Sequence, residues 1–178
     1  SEITGPITAT DQVSSTITVQ NTSAGGANSV VLFGNTLATG TSRITNFRAI
    51  GTGGDLSVTG PNRIVFQNNP GNLNNSSALS GSRVTTAGGV ELATLGNAPE
   101  GVGIMPLPAT GYTSDLANAG PLSNVRITTP GTYTLTRSKV INSLILGPGV
   151  IINGPDVALN VTSGIFQFVG SGASTLNV

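Results

Sequence analysis

The chain of 178 residues contains no histidine, no cysteine and no tryptophan, and it carries little charge. Without histidine, His-based catalytic triads, His-ligated zinc and imidazole acid–base chemistry are excluded, and without cysteine there is no thiol nucleophile. Seven basic and seven acidic residues give a net charge of zero. Because no run of Lys or Arg is present to neutralise a row of phosphates, we expect no nucleic-acid partner. No apolar run is long enough for a membrane-spanning helix, so we expect no membrane insertion by this segment.

Helix-forming residues are also scarce, since the chain has one Lys, three Glu and one Met. In their place Gly, Asn, Ser and Thr make up 84 residues, while Leu, Ile, Val and Phe total 49. This apolar content is well above that of a disordered chain, and the hydroxyl- and amide-rich remainder is typical of turns between strands. The composition therefore predicts a folded all-β protein. The one helix candidate is the segment 114–119, SDLANA, with Ser114 as its N-cap.

The tail from residue 124 to residue 178 is a series of short apolar runs separated by Gly, Pro and Asn. Many runs alternate apolar and polar residues, as strands with one buried face do. Their sharp corners (single Gly, Gly-Pro-Gly or Asn-Gly-Pro) favour a parallel β-helix or solenoid over the hairpins of the alternative, an antiparallel β-sandwich. In the coil, the segments 143–146, 157–161 and 165–169 are parallel. Six side chains are then expected inside: Leu144, Leu146, Leu159, Val161, Phe166 and Phe168. Removing either phenyl ring is expected to cost roughly 3–5 kcal/mol.

We expect the whole chain, residues 1–178, to form one solenoid domain. Residues 1–70 also contain short apolar runs separated by turn residues, as the tail does. These runs predict strands near 15–20, 29–34, 43–50, 55–59 and 63–67. No repeat can be aligned over residues 1–80. Residues 69–82 are polar and low in complexity, which predicts an exposed loop. Residues 97–123 hold four of the ten prolines and several large apolar residues, which predicts a loop packed over the core.

Two consecutive segments contain recognisable motifs. In residues 88–128, the stretches IMPL and GYTSDLANA precede the strand NVRIT, and in residues 132–164 the stretch INSLIL opens the next run. The first segment resembles one that recurs in the passengers of bacterial autotransporter proteins. The second resembles the autotransporter-associated β-strand repeats that follow it. The resemblance covers about half of the chain and implies a right-handed parallel β-helix exposed on a cell surface.

The sequence predicts no catalytic, cofactor-binding or metal-ligating residue, and no cofactor. Its seven acids each stand alone in sequence. A cluster of Glu91, Glu100, Asp115 or Asp156 around a groove would instead indicate a carbohydrate-active β-helix enzyme, because glycoside chemistry needs paired carboxylates. Six arginines are spread along the strands, and an arginine stripe would be a site for acidic surface glycans.

Taken with the resemblance, these observations predict a non-enzymatic, extracellular or bacterial cell-surface protein, a structural or adhesive segment of a passenger or fibre. The first alternative is a self-assembling β-sandwich, as a filament or surface-layer subunit, and the second is a carbohydrate-active β-helix enzyme. The chain starts at Ser1 without a methionine, so we expect a processed or excised piece of a longer protein. Because the terminal strand lacks a polar cap, we expect copies to associate end to end or by strand exchange.

Overall fold

The computed structural model describes residues 2–4, 7–8, 14–22, 30–34, 37–38, 44–68, 78–79, 81–163 and 165–178. Within these residues the protein is all-β, as predicted, with strands, one 3-10 turn at Ala109–Gly111 and no α-helix. The strands form both parallel and antiparallel pairs. The chain divides into two compact units, Ser1–Leu107 and Pro108–Val178, which we call unit 1 and unit 2.

Unit 1 contains ten of the described strands. Their bounds are β1 Glu2–Thr4, β2 Ile7–Thr8, β3 Ser15–Asn21, β4 Val30–Gly34, β5 Leu37–Ala38, β6 Thr45–Gly51, β7 Asn62–Phe66, β8 Ser82–Thr86, β9 Gly89–Ala98 and β10 Gly101–Pro106. Eight of them form one mixed sheet in the order β1-β4-β7-β10-β9-β8-β6-β3. Strands β2 and β5 pair separately.

Three parallel pairs in unit 1 join strands that are 30 residues apart. Ser15 lies opposite Thr45 and Ile17 opposite Phe47, and Arg48 donates a hydrogen bond to Thr18 across the same interval of 30. Strands β1 and β2 pair with β4 and β5 at the same spacing. The first part of the chain therefore contains a repeat that the sequence does not reveal. Strand positions recur, but the side chains at those positions change, as from Ile17 to Phe47.

Two antiparallel hairpins complete unit 1. Strand β8 pairs with β9, and β9 pairs with β10, whose other edge pairs with β7. Residues 97–106 consequently lie in or between β9 and β10, so the loop predicted over 97–123 is shorter than expected. The prediction missed this hairpin because Gly and Pro interrupt the alternation of apolar residues. Ile104, one of the large apolar residues of that predicted loop, is buried within β10.

Two other segments, the strand predicted at 55–59 and the loop predicted at 69–82, have different outcomes. Residues 55–59 are not a strand, because the Gly60 N–H donates to the Ser57 hydroxyl at 2.6 Å and the chain bends there. Leu56 is nevertheless buried in the apolar core of unit 1. Most of the polar loop predicted at 69–82, residues 69–77 and 80, lies outside the described residues. Within its described part, Leu79 is buried.

A continuous apolar core and a pair of buried amides hold the strands of unit 1 together. The core side chains are Val19, Phe47, Leu56, Ile64, Phe66, Leu79, Val84, Ala93 and Ile104. Beside them, Asn21 Nδ2 donates to Asn62 Oδ1 at 3.2 Å, and Asn62 Nδ2 donates to the Gly54 carbonyl at 2.7 Å. Gly51 stacks on Asn21 with φ +92°, and a Cβ there would lie 1.9 Å from the Asn21 carbonyl oxygen. Only glycine fits this corner.

Unit 2 contains eight strands and no antiparallel pair among its described residues. Their bounds are β11 Asn124–Ile127, β12 Gly131–Thr134, β13 Lys139–Ile141, β14 Ser143–Leu146, β15 Val150–Asn153, β16 Leu159–Val161, β17 Phe166–Phe168 and β18 Thr175–Asn177. Successive strands enter three parallel sheets in rotation, β11-β14-β17, β12-β15-β18 and β13-β16.

Each turn of the chain in unit 2 stacks on the one before. Asn124 lies opposite Ser143, 19 residues later. The corners stack as well: the Gly131 N–H donates to the Gly149 carbonyl, and the Gly149 N–H donates to the Ala173 carbonyl. The parallel pairing predicted for the tail is therefore confirmed. Strand β15 pairs with β12 and β18, whereas antiparallel pairing of residues 150–152 with 140–146 would have favoured the sandwich alternative.

The interior of unit 2 follows the predicted alternation at β14 but not at β17. Leu144 and Leu146 are fully buried, but Phe166 and Phe168 are 41% and 49% exposed, so their predicted burial is wrong. Both rings are in register with the buried leucines and point to the same side of the sheet. They stay exposed because no described strand stacks beyond β17. Ile145, on the opposite face, is 1% exposed, so both faces of β14 are covered.

This difference in burial predicts unequal stability effects within one sheet. We expect Leu144→Ala to lower the free energy of unfolding by about 2–5 kcal/mol, because it leaves a cavity in the closed interior. Phe166→Ala at the paired position should cost under about 1.5 kcal/mol, since much of its surface is already in water. Urea unfolding of the two variants and the parent protein measures both values. Equal losses would mean that the β17 rings are covered in solution.

Candidate functional site

A groove of about 360 Å³ opens in unit 2 between strand β12 and the turn that precedes β11. Its walls are residues 114–117 on one side and Thr132, Tyr133 and Thr134 on the other. The chain reaches this point after Thr113, which forms an isolated parallel bridge with Val125 of β11. Beyond Thr113 the chain turns away instead of continuing as a strand along β12. The groove occupies the resulting gap.

Strand β12 presents unpaired main-chain groups along this edge. It is the end strand of its sheet, with β15 as its partner on the other edge. The N–H groups of Gly131 and Leu135 donate to the Gly149 and Asn153 carbonyls at 3.0 and 2.8 Å. Because hydrogen bonds alternate in direction along a parallel strand, the N–H and C=O groups of Thr132 and Thr134 point to the opposite edge. No described strand pairs with that edge, and both threonines are exposed.

The opposite wall is a turn closed by Asp115. One carboxylate oxygen accepts the Asn118 main-chain N–H at 3.0 Å, and the other accepts the Asn118 side-chain amide at 2.8 Å. The helix predicted at 114–119 with Ser114 as its cap is therefore wrong: the residues form a turn capped by Asp115. The segment is too short to form a helix without further hydrogen bonds, and the aspartate competes for the main-chain donors.

The same bonds act on the ionisation of Asp115. The Asn118 side-chain amide, followed by the Asn118 main-chain N–H, lowers the pKa of the Asp115 carboxyl, and the charge of Lys139 adds a smaller contribution in the same direction. Because the pKa is lower in the folded protein, ionised Asp115 stabilises the turn above the pKa of the unfolded chain. This contribution is lost as the pH falls through the folded-state pKa. The carboxylate is thus negatively charged at neutral pH.

The chain's one lysine lies beneath this turn. Lys139 on β13 is 9% exposed, and its Nζ donates to the Ala117 carbonyl and, at 3.3 Å, to the Ala119 carbonyl. On the same turn, Leu116 and Ala119 are buried in the core of unit 2. The ammonium group therefore satisfies carbonyls that no helix or sheet satisfies, and it fixes one wall of the groove.

Among the four acids whose clustering would indicate an enzyme, Asp115 is the one that lines this groove. In unit 1, Glu91 lies on β9 and Glu100 in the turn after it, where it pairs with Arg63 at 2.7 Å. In unit 2, Asp115 lines the groove, while Asp156 sits in a turn after β15 with φ +64°. Among the described residues, no three acidic side chains come close enough to hold a metal ion.

Three of the described arginines contact neighbouring side chains. Arg63 pairs with Glu100, and Arg48 donates to the Thr18 hydroxyl at 3.0 Å. Arg126 lies over the Tyr112 ring, 5.4 Å from its centroid. Each is thus engaged by its immediate neighbours, and Arg43 lies outside the described residues.

A second surface of interest is the last turn of unit 2, strands β17 and β18, which we call the C-terminal edge. Phe166 and Phe168 pack against each other there, with ring centroids 4.9 Å apart and an angle of 60°. Val178 is also exposed. Leu176 is half-buried against the core. An apolar surface and an unpaired strand edge therefore coincide.

No family model, no curated protein and no solved structure matches the chain. The resemblance to autotransporter repeat proteins therefore stays a prediction. In the part of the chain that is described, no helix has the length and apolar character to cross a membrane.

Sequence reasoning missed the groove. Its two walls are 15 or more residues apart, and its binding groups are main-chain atoms, which carry no residue signature. Two signals were present: the single lysine in a chain that otherwise uses arginine, and the Asp-x-x-Asn spacing of Asp115 and Asn118, which is typical of a capped turn.

The position of Lys139 predicts that its removal loosens the groove wall. We expect Lys139→Met to lower the free energy of unfolding by about 1–3 kcal/mol, because the Ala117 and Ala119 carbonyls lose their donor. Amide exchange at residues 115–119 should quicken. Arg137→Met is the matched control, since this nearby cation is exposed, and it should change stability by under about 0.5 kcal/mol. Equal effects of both changes on exchange would show that Lys139 does not hold the turn.

Proposed function

We propose that the protein is a non-enzymatic, extracellular structural segment, a right-handed parallel β-helix that acts as a scaffold or adhesive stalk in a bacterial surface passenger or fibre. The observation that carries the proposal is the rotation of successive strands through three parallel sheets in unit 2. Such a coil grows by adding turns along one axis, and each turn contacts only its neighbours. This geometry suits a long, stiff element.

The repeat in unit 1 supports the same interpretation. Strands β1, β2 and β3 are matched by β4, β5 and β6 at a constant spacing of 30 residues. Paired parallel strands are thus 30 residues apart in these three pairs of unit 1 and 19 residues apart for β11 and β14 of unit 2. Both bury an apolar column on the inside of their strands.

Buried amides provide the second line of support, since they fix the stacking distance. In unit 2, Asn142 Nδ2 and Ser143 Oγ both donate to Asn124 Oδ1, at 2.7 and 3.0 Å. In unit 1, Asn21 bonds to Asn62 in the same manner. The two bonds of unit 2, across 18 and 19 residues, join consecutive turns of the chain, whereas the bond of unit 1 spans 41 residues. All three satisfy buried polar groups. A scaffold that must keep its length gains rigidity from such bonds.

The C-terminal edge supports homotypic association. Phe166 and Phe168 end the inward column of their sheet and are exposed together with the free edge of β17. An exposed edge that also carries apolar side chains is a template for another chain. We therefore propose that copies associate through this edge, as the units of a fibre would.

The association test uses three forms of the full chain at increasing concentration in sedimentation velocity. The parent protein should show a sedimentation coefficient that rises with concentration. The double variant Phe166→Asp/Phe168→Asp should stay monomeric, because two charges cannot be buried unpaired in a strand contact. Circular dichroism checks that it remains folded.

The matched control is Leu122→Asp, at an apolar residue that is 55% exposed but lies on a loop away from the C-terminal edge. It should associate as the parent does. A parent protein that stays monomeric at millimolar concentration, or a control that loses association equally, would contradict the proposed role of this edge.

A further inference from the structure

The free edge of β12 is a binding surface made of main-chain groups. The N–H and C=O groups of Thr132 and Thr134 face the groove. They do not bond to β15, because the hydrogen bonds to β15 are made by the alternate residues of β12. An extended peptide satisfies such groups by adding as a further strand. The groove between this edge and residues 114–117 provides the space for it.

We propose that the groove binds an extended peptide segment of a partner protein, which adds as a strand to the edge of β12 and places a basic side chain beside the Asp115 carboxylate. This binding is distinct from the proposed association of copies, since it uses the opposite edge of the β12-β15-β18 sheet from the C-terminal edge. It would give the scaffold a partner of defined chemistry.

The charge pattern favours a basic peptide. Asp115 is exposed and its two oxygens are oriented by bonds from Asn118. A carboxylate has about four acceptor positions, so Asp115 retains capacity for a further donor. Lys139, the cation whose charge reaches Asp115, is committed to the carbonyls of the turn. A ligand that supplies its own cation completes the site, whereas an acidic ligand is repelled.

The groove suits a peptide better than a saccharide. Tyr133 is its one aromatic ring, but that ring is half-buried against the core and its hydroxyl donates to the Thr129 carbonyl at 3.0 Å. It therefore offers no free aromatic face for a sugar ring. The groups that remain unpaired along the groove are regularly spaced main-chain donors and acceptors, the pattern that another strand matches.

The probe is a blocked hexapeptide, acetyl-Asn-Val-Arg-Ile-Thr-Thr-amide, which has strand-forming residues and one arginine. It is titrated into the full chain and followed by NMR. We expect the amide signals of Thr132 and Thr134 to shift. Those of Gly131 and Tyr133 should shift less, because their N–H groups already bond to β15. Affinity should be weak, in the high-micromolar to millimolar range, as four short main-chain bonds must offset the ordering of the peptide.

Variants of the probe and of the protein separate the contribution of main-chain hydrogen bonds to binding from that of charge. N-methylation of one alternating set of peptide amides should abolish binding, while N-methylation of the other set should not. Asp115→Asn, or an arginine-to-glutamate probe, should weaken binding by about 2–5-fold or more. Thr132→Pro removes one edge N–H while sparing the β15 ladder and should abolish the shifts; its control, Thr132→Val, keeps that N–H and should bind as the parent does.

Three results would overturn the proposal. The first is an absence of shifts at Thr132 and Thr134 at millimolar probe concentration. The second is binding that neither set of N-methyl groups impairs, since it would not involve strand addition. The third is a neutral trisaccharide that shifts these amides when the peptide does not, which would make the groove a carbohydrate site. Because the probe variants need no change to the protein, misfolding of Thr132→Pro leaves the test intact.

Discussion

In-register parallel stacking of short strands is the constraint on which the rest of this structure depends. A strand such as Leu159–Val161 spans three residues and cannot persist alone, because it makes too few hydrogen bonds to offset the entropy of ordering it. It persists because a strand of the previous turn lies beneath it in register. The corners must then stack as well. This explains why Gly147 sits where a Cβ would lie 2.8 Å from Thr128 Cα, a distance that only glycine tolerates.

Stacking also determines which hydrogen-bond partners the buried polar groups have. With few charges in the chain, buried polar groups are satisfied mainly by amides and hydroxyls, as at Asn21 with Asn62 and at Asn124 with Asn142. Lys139 is the exception, and its ammonium group satisfies two carbonyls of a turn that has no helical bonds of its own. Both solutions follow from one requirement, that a buried donor or acceptor must have a partner.

The same constraint explains where recognition is expected. A stack of parallel strands satisfies its main chain in the interior of each sheet and leaves unsatisfied groups at the first and last strands. In unit 2 these are the groove edge of β12 and the C-terminal edge at β17 and β18. One edge is polar, with an ionised aspartate beside it, and the other carries two phenyl rings. These differences are the reason why we propose different partners for the two edges, a basic peptide and a second copy.

The sequence by itself determined the all-β class and the inward side chains of the middle turns, since alternation places Leu144 and Leu146 on one face wherever the strand packs. It did not determine the burial of Phe166, whose alternation is the same, because burial depends on whether another strand stacks above it. Nor did it reveal the 30-residue repeat of unit 1, in which strand positions recur without recurrence of residues. The turn at Asp115 and the groove beside β12 were decided only by tertiary structure, because they join main-chain groups distant in sequence, and main-chain groups are the same in every residue but proline.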